Sequence, residues 1–431
     1  MGTIRRVRPL KLLQILGLAL LSGTVPFLWA GEHVGLEGIA DLNLTQTAIP
    51  YASPSSPDHQ TDFNGRFILL GTLRITDSLS GYYEGRINHQ EGLEGSDPRL
   101  QQTRGTAVVQ GYIRYTPKLP WSLSIQVGKF GTPFGEFLTR NYPQDNPLIG
   151  VPLIYSYRTT IPATKVPDSP GDFLGFRYRA RSSQIYNSGN GAGWLPLINY
   201  AYPTGVMAFG NPGTFDYRFA VVNSSISNPL DLGQPGQRIQ WVGGGGWTLA
   251  PGLRLGTSLA DGPFLSGSVG SQLPPGTTLR DYTQRAVGFD LQYTIRHFEA
   301  YGEGILTNFK VPNVSQRLGA KGYYLELKYT WLPRLFTAVR WNQIFFDRLR
   351  QDTNPAYSPP APESEAPYVG VRFDQNINSL EFGLGFRITH KLMAKTSYQY
   401  RRTLGGADPK DNIFAAQLVY VFDISNLLRI R

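Results

Sequence analysis

Cysteine is absent from the 431 residues of this chain, and charged residues make up only 17% of it. Without cysteine, thiol catalysis, cysteine-ligated zinc and disulfide bonds are all excluded. The chain has instead 48 glycines and 13% aromatic residues, a composition that suits an all-β protein of many short strands. Metal-ligand spacing such as His-Glu-x-x-His is found at none of the five histidines, which are His33, His59, His89, His297 and His390.

Long apolar runs are also missing after residue 30, so the sequence predicts no transmembrane helix. Residues 1–30 are predicted to be a signal peptide, because four basic residues precede a short apolar run at 12–21 and Ala30 stands before a cleavage point. A retained N-terminal anchor is the alternative. Removing those four basic residues lowers the formal net charge from +10 to +6, and the remaining Lys and Arg form no cluster with interleaved aromatics. Nucleic-acid binding is therefore not expected.

Sixteen segments alternate between apolar and polar residues, the period-2 signature of strands. The predicted strands are 34–46, 63–76, 80–90, 106–117, 120–130, 203–210, 214–224, 238–249, 252–262, 284–295, 298–309, 320–331, 334–347, 378–389, 392–403 and 411–423. Two- or three-residue connections alternate with longer ones rich in Pro, Gly, Asp and Ser, the longest at 131–202. Short turns on one rim and long loops on the other are typical of a bacterial outer-membrane β-barrel, which is the prediction for residues 31–431. A soluble β-sandwich or a solenoid is the alternative.

The two faces of these segments differ as a membrane barrel requires. Apolar side chains such as Phe382, Phe414 and Leu418 alternate with charged ones, so the apolar face is predicted to contact lipid. Tryptophans near strand ends, Trp121, Trp247 and Trp331 among them, are predicted to form interfacial girdles. The polar face is predicted to line a water-filled lumen.

Twelve cations and seven carboxylates fall on the predicted inner face, an excess of five positive charges. Such an excess predicts a weak anion preference, although neighbouring pairs could neutralise each other. The cations are Arg66, Arg74, Arg86, Arg114, Arg218, Arg238, Arg254, Lys328, Arg340, Arg387, Lys395 and Arg401, and the carboxylates are Glu84, Asp216, Asp290, Glu299, Glu303, Glu326 and Glu381.

The fifth segment ends in a run of glycines and proline at 128–137, and the longest connection follows it. Glycine and proline set unusual backbone directions, so this run is predicted to bend the chain into the lumen. The predicted hinge residues are Gly128, Gly131, Pro133 and Gly135. Loop 131–202 would then narrow the lumen.

The chain resembles the phosphate-selective porin O and P family, or more broadly the sixteen-stranded outer-membrane porins. The resemblance rests on Gly-Lys-Phe-Gly-Thr-Pro-Phe-Gly at 128–135, on Met-Ala-Lys-Thr-Ser-Tyr-Gln-Tyr at 393–400, and on the late aromatic Phe422. It implies a passive diffusion channel for small hydrophilic solutes with weak anion or phosphate preference, a third loop folded into the barrel, and a homotrimer. In the loop it implicates Arg140, Arg158, Lys165, Arg177, Arg179 and Arg181.

Nine cations are thus predicted to line the pore and set its selectivity: Arg86, Arg114, Arg140, Arg158, Lys165, Lys328, Arg340, Arg387 and Lys395. Outer-membrane lipid or lipopolysaccharide and small anionic or polar solutes are the predicted partners, with no cofactor and no metal. Two other functions remain open. One is a sealed barrel acting as a surface adhesion protein, and the other is a barrel-embedded lipid-modifying enzyme, for which His89 and Ser96 are the candidate pair.

Overall fold

The computed structural model describes residues 34–48, 59–88, 105–119, 121–176, 194–199, 202–223, 225–229, 238–349, 370–404 and 412–424. Within them, sixteen antiparallel strands close into one barrel, each strand pairing with its neighbours in sequence and β1 closing on β16. The predicted barrel is confirmed, and the sandwich and solenoid alternatives are wrong. The predicted signal peptide at 1–30, Arg177, Arg179, Arg181, and the His89 and Ser96 pair lie outside the described residues.

The strands follow the predicted segments closely. Their bounds are β1 Val34–Ala48, β2 His59–Arg74, β3 Leu79–Asn88, β4 Gly105–Tyr115, β5 Ser124–Lys129, β6 Thr204–Gly210, β7 Phe215–Asn223, β8 Ile239–Ala250, β9 Leu253–Pro263, β10 Thr283–Ile295, β11 Phe298–Phe309, β12 Leu318–Leu332, β13 Leu335–Phe346, β14 Asn376–Arg387, β15 Leu392–Leu404 and β16 Ile413–Asp423. None of the helices in the described residues is long and apolar enough to cross a bilayer.

β5 is shorter than predicted, since it starts at Ser124 rather than at residue 120. Ser122 has a positive φ of 52°, a left-handed conformation that leaves the extended region and interrupts the strand. The connection from β4 to β5 is therefore longer than the two residues predicted. The other connections on this rim remain short, and the two ends of the barrel are called below the short-turn rim and the long-loop rim.

The register confirms the predicted faces. Arg340 on β13 lies opposite Glu326 on β12 and Glu381 on β14, and all three point inward. Phe382, Phe414 and Leu418 are exposed on the outer face, as lipid contact requires. The three predicted girdle tryptophans are also exposed, all of them close to the short-turn rim.

The main hydrophobic core lies inside the barrel, where residues between β5 and β6 pack against the inner wall. Aromatic and aliphatic side chains of this segment meet small inward residues of β7 to β12, such as Ala260, Ala286 and Ala320. Gly322 on β12 makes room for the segment, because a Cβ there would lie 2.6 Å from Ile154 Cγ2. The segment supplies Phe130, Phe134, Phe137, Val151, Leu153, Ile154, Tyr155, Ile161, Ala163, Phe173, Phe176, Trp194, Leu195, Leu197 and Ile198.

Candidate functional site

The candidate site is the lumen together with the segment that enters it between β5 and β6. Gly128 has φ +138°, and a Cβ there would overlap the carbonyl oxygen of Gly111 on β4. Gly135 has φ +74°, in the left-handed region that glycine favours. Phe130 N–H donates to the Pro203 carbonyl at 3.1 Å, which ties the entry of the loop to its exit.

The other two predicted hinge residues contact the inner wall directly. Gly131 N–H donates to Gln110 Oε1 at 3.3 Å, and the Pro133 carbonyl accepts from Arg218 Nε at 2.6 Å. The backbone therefore turns into the lumen over the four residues predicted to do so. Their role as a hinge stays a prediction.

A first group of ion pairs holds the start of the loop against β7, β9 and β10. The Glu136 carboxylate pairs with the guanidinium groups of Arg218 and Arg254. Arg254 also binds Asp216 through two bonds of 2.7 Å and Asp290 at 2.5 Å. Two cations thus face three carboxylates, one of which comes from the loop, so the charges largely neutralise one another.

A second group centres on Arg340, which is fully buried. Its guanidinium donates to Glu326 at 2.5 Å and 2.8 Å and to Glu381 at 3.2 Å. It also donates to two loop acceptors, the Gly150 carbonyl at 2.7 Å and Asn146 Oδ1 at 3.1 Å. Arg340 therefore links the wall to the loop.

Arg140 on the loop shares the same carboxylate. Its guanidinium donates to Glu326 Oε1 at 2.6 Å and to Tyr324 Oη at 3.2 Å, and it lies 3.6 Å from the centroid of the Tyr301 ring. Burial acts to lower the pKa of Arg140, but Tyr324 and Glu326 outweigh it and raise the pKa above its ordinary value. Arg140 is thus a charged anchor of the loop.

A third contact holds the middle of the loop against β15. Lys395 Nζ donates to the backbone carbonyls of Pro143, Asn146 and Leu148 at 2.7, 2.9 and 3.2 Å. The side chain is only 2% exposed. Three carbonyl oxygens around one ammonium group match its three donors, so this lysine acts as a clamp on residues 143–148.

Tyr142 contacts the wall four strands away from β15. Its hydroxyl donates to Glu84 Oε2 on β3 at 2.8 Å and lies 3.3 Å from Tyr82 Oη. Since β2, β1 and β16 lie between β3 and β15, residues 142–148 run across the lumen in front of these strands. Tyr142 also packs on a second apolar cluster of inward side chains, formed by Ile39, Ile68, Phe336, Met393 and Val419.

Four of the nine predicted pore-lining cations differ from the prediction in being buried. Arg340 and Lys395 are covered by the loop. Arg86, 7% exposed, pairs with Glu84 at 2.7 Å and donates to Tyr202 Oη at 2.7 Å. Arg158, also 7% exposed, donates to the Trp194 carbonyl at 3.4 Å within the loop segment. Packing by the loop, which local sequence pattern does not report, removes these side chains from the water of the lumen.

The other predicted cations keep more contact with solvent. Lys328 pairs with Glu299 at 2.7 Å, and Arg114 is half-buried beside Tyr112 and Gln126. Lys165 and Arg387 are exposed. Asn43, Arg66, Tyr82 and Tyr112 are partly exposed inward side chains of β1 to β4, although Tyr82 lies beside Tyr142 of the loop and Tyr112 packs against the loop core.

The inner face also carries three carboxylates that the sequence reasoning missed: Glu37 and Asp41 on β1, and Asp423 on β16. Among the described residues they raise the inward carboxylates from seven to ten, so the excess over the twelve cations falls from five to two. Counting alternate positions of β1 would have found two of them.

The loop adds a carboxylate on the side facing the short-turn rim. Burial raises the pKa of Asp145, while Lys395, Arg387 and Lys328 act in the opposite direction. This carboxylate therefore lies within the field of three inward cations. In the described residues, no group of three His, Asp or Glu side chains has the arrangement of a metal site.

Solved structures of outer-membrane porins and channels share this fold. The chain is similar to an anion-selective porin from Comamonas acidovorans (11% identity, 90% of this chain and 99% of that one, TM-score 0.53). It is similar to the outer-membrane channel DcaP of Acinetobacter baumannii (10%, 90% and 97%, TM-score 0.53) and to a trimer form of OmpT, an outer-membrane protein of Vibrio cholerae (12%, 90% and 99%, TM-score 0.51). No protein-family model and no curated protein matches the chain. At these identities the likeness concerns the fold.

Proposed function

We propose that the protein is an outer-membrane porin, a passive diffusion channel for small hydrophilic solutes. The observation that carries the proposal is a closed sixteen-stranded barrel with an apolar outer face, an inner face rich in charged and polar groups, and a loop folded into the lumen. The solved porins and channels that share the fold support it. In this proposal the protein has no enzymatic activity.

The aqueous path runs between the loop and the wall away from its core. Polar inward side chains that keep some contact with solvent, such as Asn43, Arg66 and Arg114, belong to β1, β2 and β4. On the loop side of the path, Thr139 and Asp145 are exposed. The loop then sets the size limit for solutes, and polar groups on both sides replace part of their hydration.

Weak anion preference follows from the small positive excess on the inner face. Because most inward cations are paired with carboxylates, selectivity depends on the few that reach water, such as Arg387. Inorganic phosphate is then one permeant anion among others.

Conductance of the purified protein in planar bilayers, with the reversal potential in a salt gradient, tests the proposal. We expect a steady conductance and a slight anion preference that falls in Arg387→Gln, which is exposed, but not in Arg158→Gln, which is buried. Cation selectivity in the wild type would contradict the charge argument.

A sealed barrel with an adhesive surface is the second candidate, and one observation favours it: residues 142–148 lie inside the lumen in front of β2, β1 and β16 and are held at both ends. Absence of any conductance would favour this candidate over a porin.

Trimer formation is also part of the porin proposal, supported by the trimer form of OmpT. Light scattering of the protein in detergent measures it, with three times the chain mass of 47.9 kDa, less any cleaved leader, as the expected result. A monomeric mass would contradict it.

A further inference from the structure

The outer face of the barrel has a groove of about 800 Å³ between β7 and β13, in the half next to the long-loop rim. Its floor is apolar and exposed, formed by Phe219, Trp241, Leu259 and Leu306. Gly243 in the floor carries no side chain, and a Cβ there would meet nothing nearer than Phe219 at 3.5 Å. Because Gly243 has no side chain, the wall is concave here, between the large side chains that surround it.

The end of the groove at the long-loop rim is charged. Arg285 on β10, Arg317 before β12 and Lys321 on β12 border it, together with Asp261 and Asp347. Arg285 Nε pairs with Asp261 at 3.0 Å, and both side chains remain about half exposed. Three cations thus face two carboxylates.

Arg317 lies close to Arg285 and Asp261 at this end of the groove. Its guanidinium is held by neutral acceptors, Asn308 Oδ1 at 2.8 Å and Thr283 Oγ1 at 2.9 Å, rather than by a carboxylate. Burial and the repulsion by the neighbouring Arg285 lower the pKa of Arg317 from its ordinary value, although Asp261 acts in the opposite direction. An anion between the two guanidinium groups would relieve this repulsion.

We infer that this groove binds a phosphate-bearing anionic lipid of the leaflet at the long-loop rim. The acyl chain lies along Trp241, Leu259 and Leu306, and the phosphate contacts Arg285, Arg317 and Lys321. Guanidinium groups suit phosphate because they present several donors in one plane. The cations stand beside the apolar floor, since Asp261 lies between Trp241 and Arg285 in the strand register and Lys321 lies opposite Leu306, so the phosphate and the adjoining part of the acyl chain can bind side by side. The inference rests on the outer-membrane location in the proposed function.

Quenching of Trp241 fluorescence by brominated lipid tests the inference on the full-length protein. The protein is reconstituted in phosphatidylcholine vesicles that contain a minor fraction of dibrominated phosphatidic acid or, as the matched control, dibrominated phosphatidylcholine. The Trp241 signal is the difference between the wild type and Trp241→Phe. We expect much stronger quenching by the brominated phosphatidic acid.

The cationic end is tested by the double variant Arg285→Gln and Arg317→Gln, with Lys321→Gln as a second, independent variant. Each lost cation should lower the relative affinity for phosphatidic acid roughly fivefold. Arg296→Gln, in the turn at the opposite rim, is the matched control and should leave quenching unchanged.

Equal quenching by the two brominated lipids, or no loss in the double variant, would overturn the inference. Quenching by neither lipid, combined with a change of oligomeric state in Gly243→Trp, would assign the groove to a second copy of the chain and also overturn it. Conductance is recorded on the same vesicles after fusion to a planar bilayer. If the porin proposal fails, conductance is absent while selective quenching persists. If the lipid inference fails, the protein conducts but the two brominated lipids quench it equally.

Discussion

Replacing Arg340 with Met should release the loop from the wall. Arg340 is buried between Glu326 and Glu381 and also binds the Gly150 carbonyl and Asn146. Met has a similar length but no donors, so each of these acceptors loses a charged partner. Glu326 keeps Arg140, whereas Glu381 keeps the Gly150 N–H at 2.9 Å.

The size of the effect follows from these remaining partners. Removing one member of a buried ion pair costs about 3–5 kcal/mol. Because Arg140 still neutralises Glu326, the lower end applies, and about 3 kcal/mol corresponds to roughly a hundredfold shift from the docked to the undocked loop. An undocked loop exposes Arg140 and Arg158 as trypsin sites and widens the lumen.

Single-channel recording and limited trypsin digestion measure this shift. Arg340→Met should show a larger mean conductance, more current noise and faster cleavage inside the loop than the wild type. Arg387→Met removes the same charge from an exposed inward position and is the control for digestion, since it should leave cleavage inside the loop unchanged. Conductance and cleavage equal to the wild type in Arg340→Met would refute the idea that this arginine anchors the loop.

Three other predictions concern the loop and one turn. Lys395→Met removes the ammonium group from three carbonyls and should also raise the conductance, but less than Arg340→Met, because no carboxylate loses its partner in those three bonds. Gly383→Leu should displace the loop, since a Cβ there overlaps Leu148, and a crystal structure of the variant would show whether residues 146–150 move. Hydrogen bonds from Thr278 hold the pKa of Asp281 below its usual range, so the contribution of this capping box is present above the ordinary pKa of aspartate and is lost as pH falls through the lowered value. Thr278→Val removes only the hydroxyl donor and keeps the backbone N–H, so NMR titration should show the pKa of Asp281 moving part of the way toward the ordinary range, and an unchanged pKa would contradict the contribution of the hydroxyl.

The strands and their faces could be predicted because both depend on local pattern. Alternation with period 2 assigns Phe382 outward and Glu381 inward without any knowledge of the partners. Boundaries were less secure where one residue adopts an unusual conformation, as Ser122 does before β5. The alternation of apolar and polar residues indicates on which face of the strand a residue lies, but it does not indicate the backbone angle φ.

The environment of the inward cations could not be predicted in the same way. Tyr142 binds Glu84, which is 58 positions away, and Arg340 binds Gly150 across 190 positions. Such contacts depend on where a long loop comes to rest, and no short motif encodes them. The inward positions of Glu37 and Asp41 could have been predicted, since they follow on β1 from the same alternation that identified the other inward charges.

The apolar core inside the barrel has a consequence for how the protein is made. If the loop were outside the barrel, the inner wall would expose a hydrophobic surface to the water of the lumen, formed by Ala260, Ala286, Ile305 and Tyr324. The loop joins β5 to β6, whereas the barrel closes between β1 and β16. We therefore expect the loop to act as an internal scaffold during biogenesis. The strands would assemble around it, and the seam between the first and last strands would close afterwards.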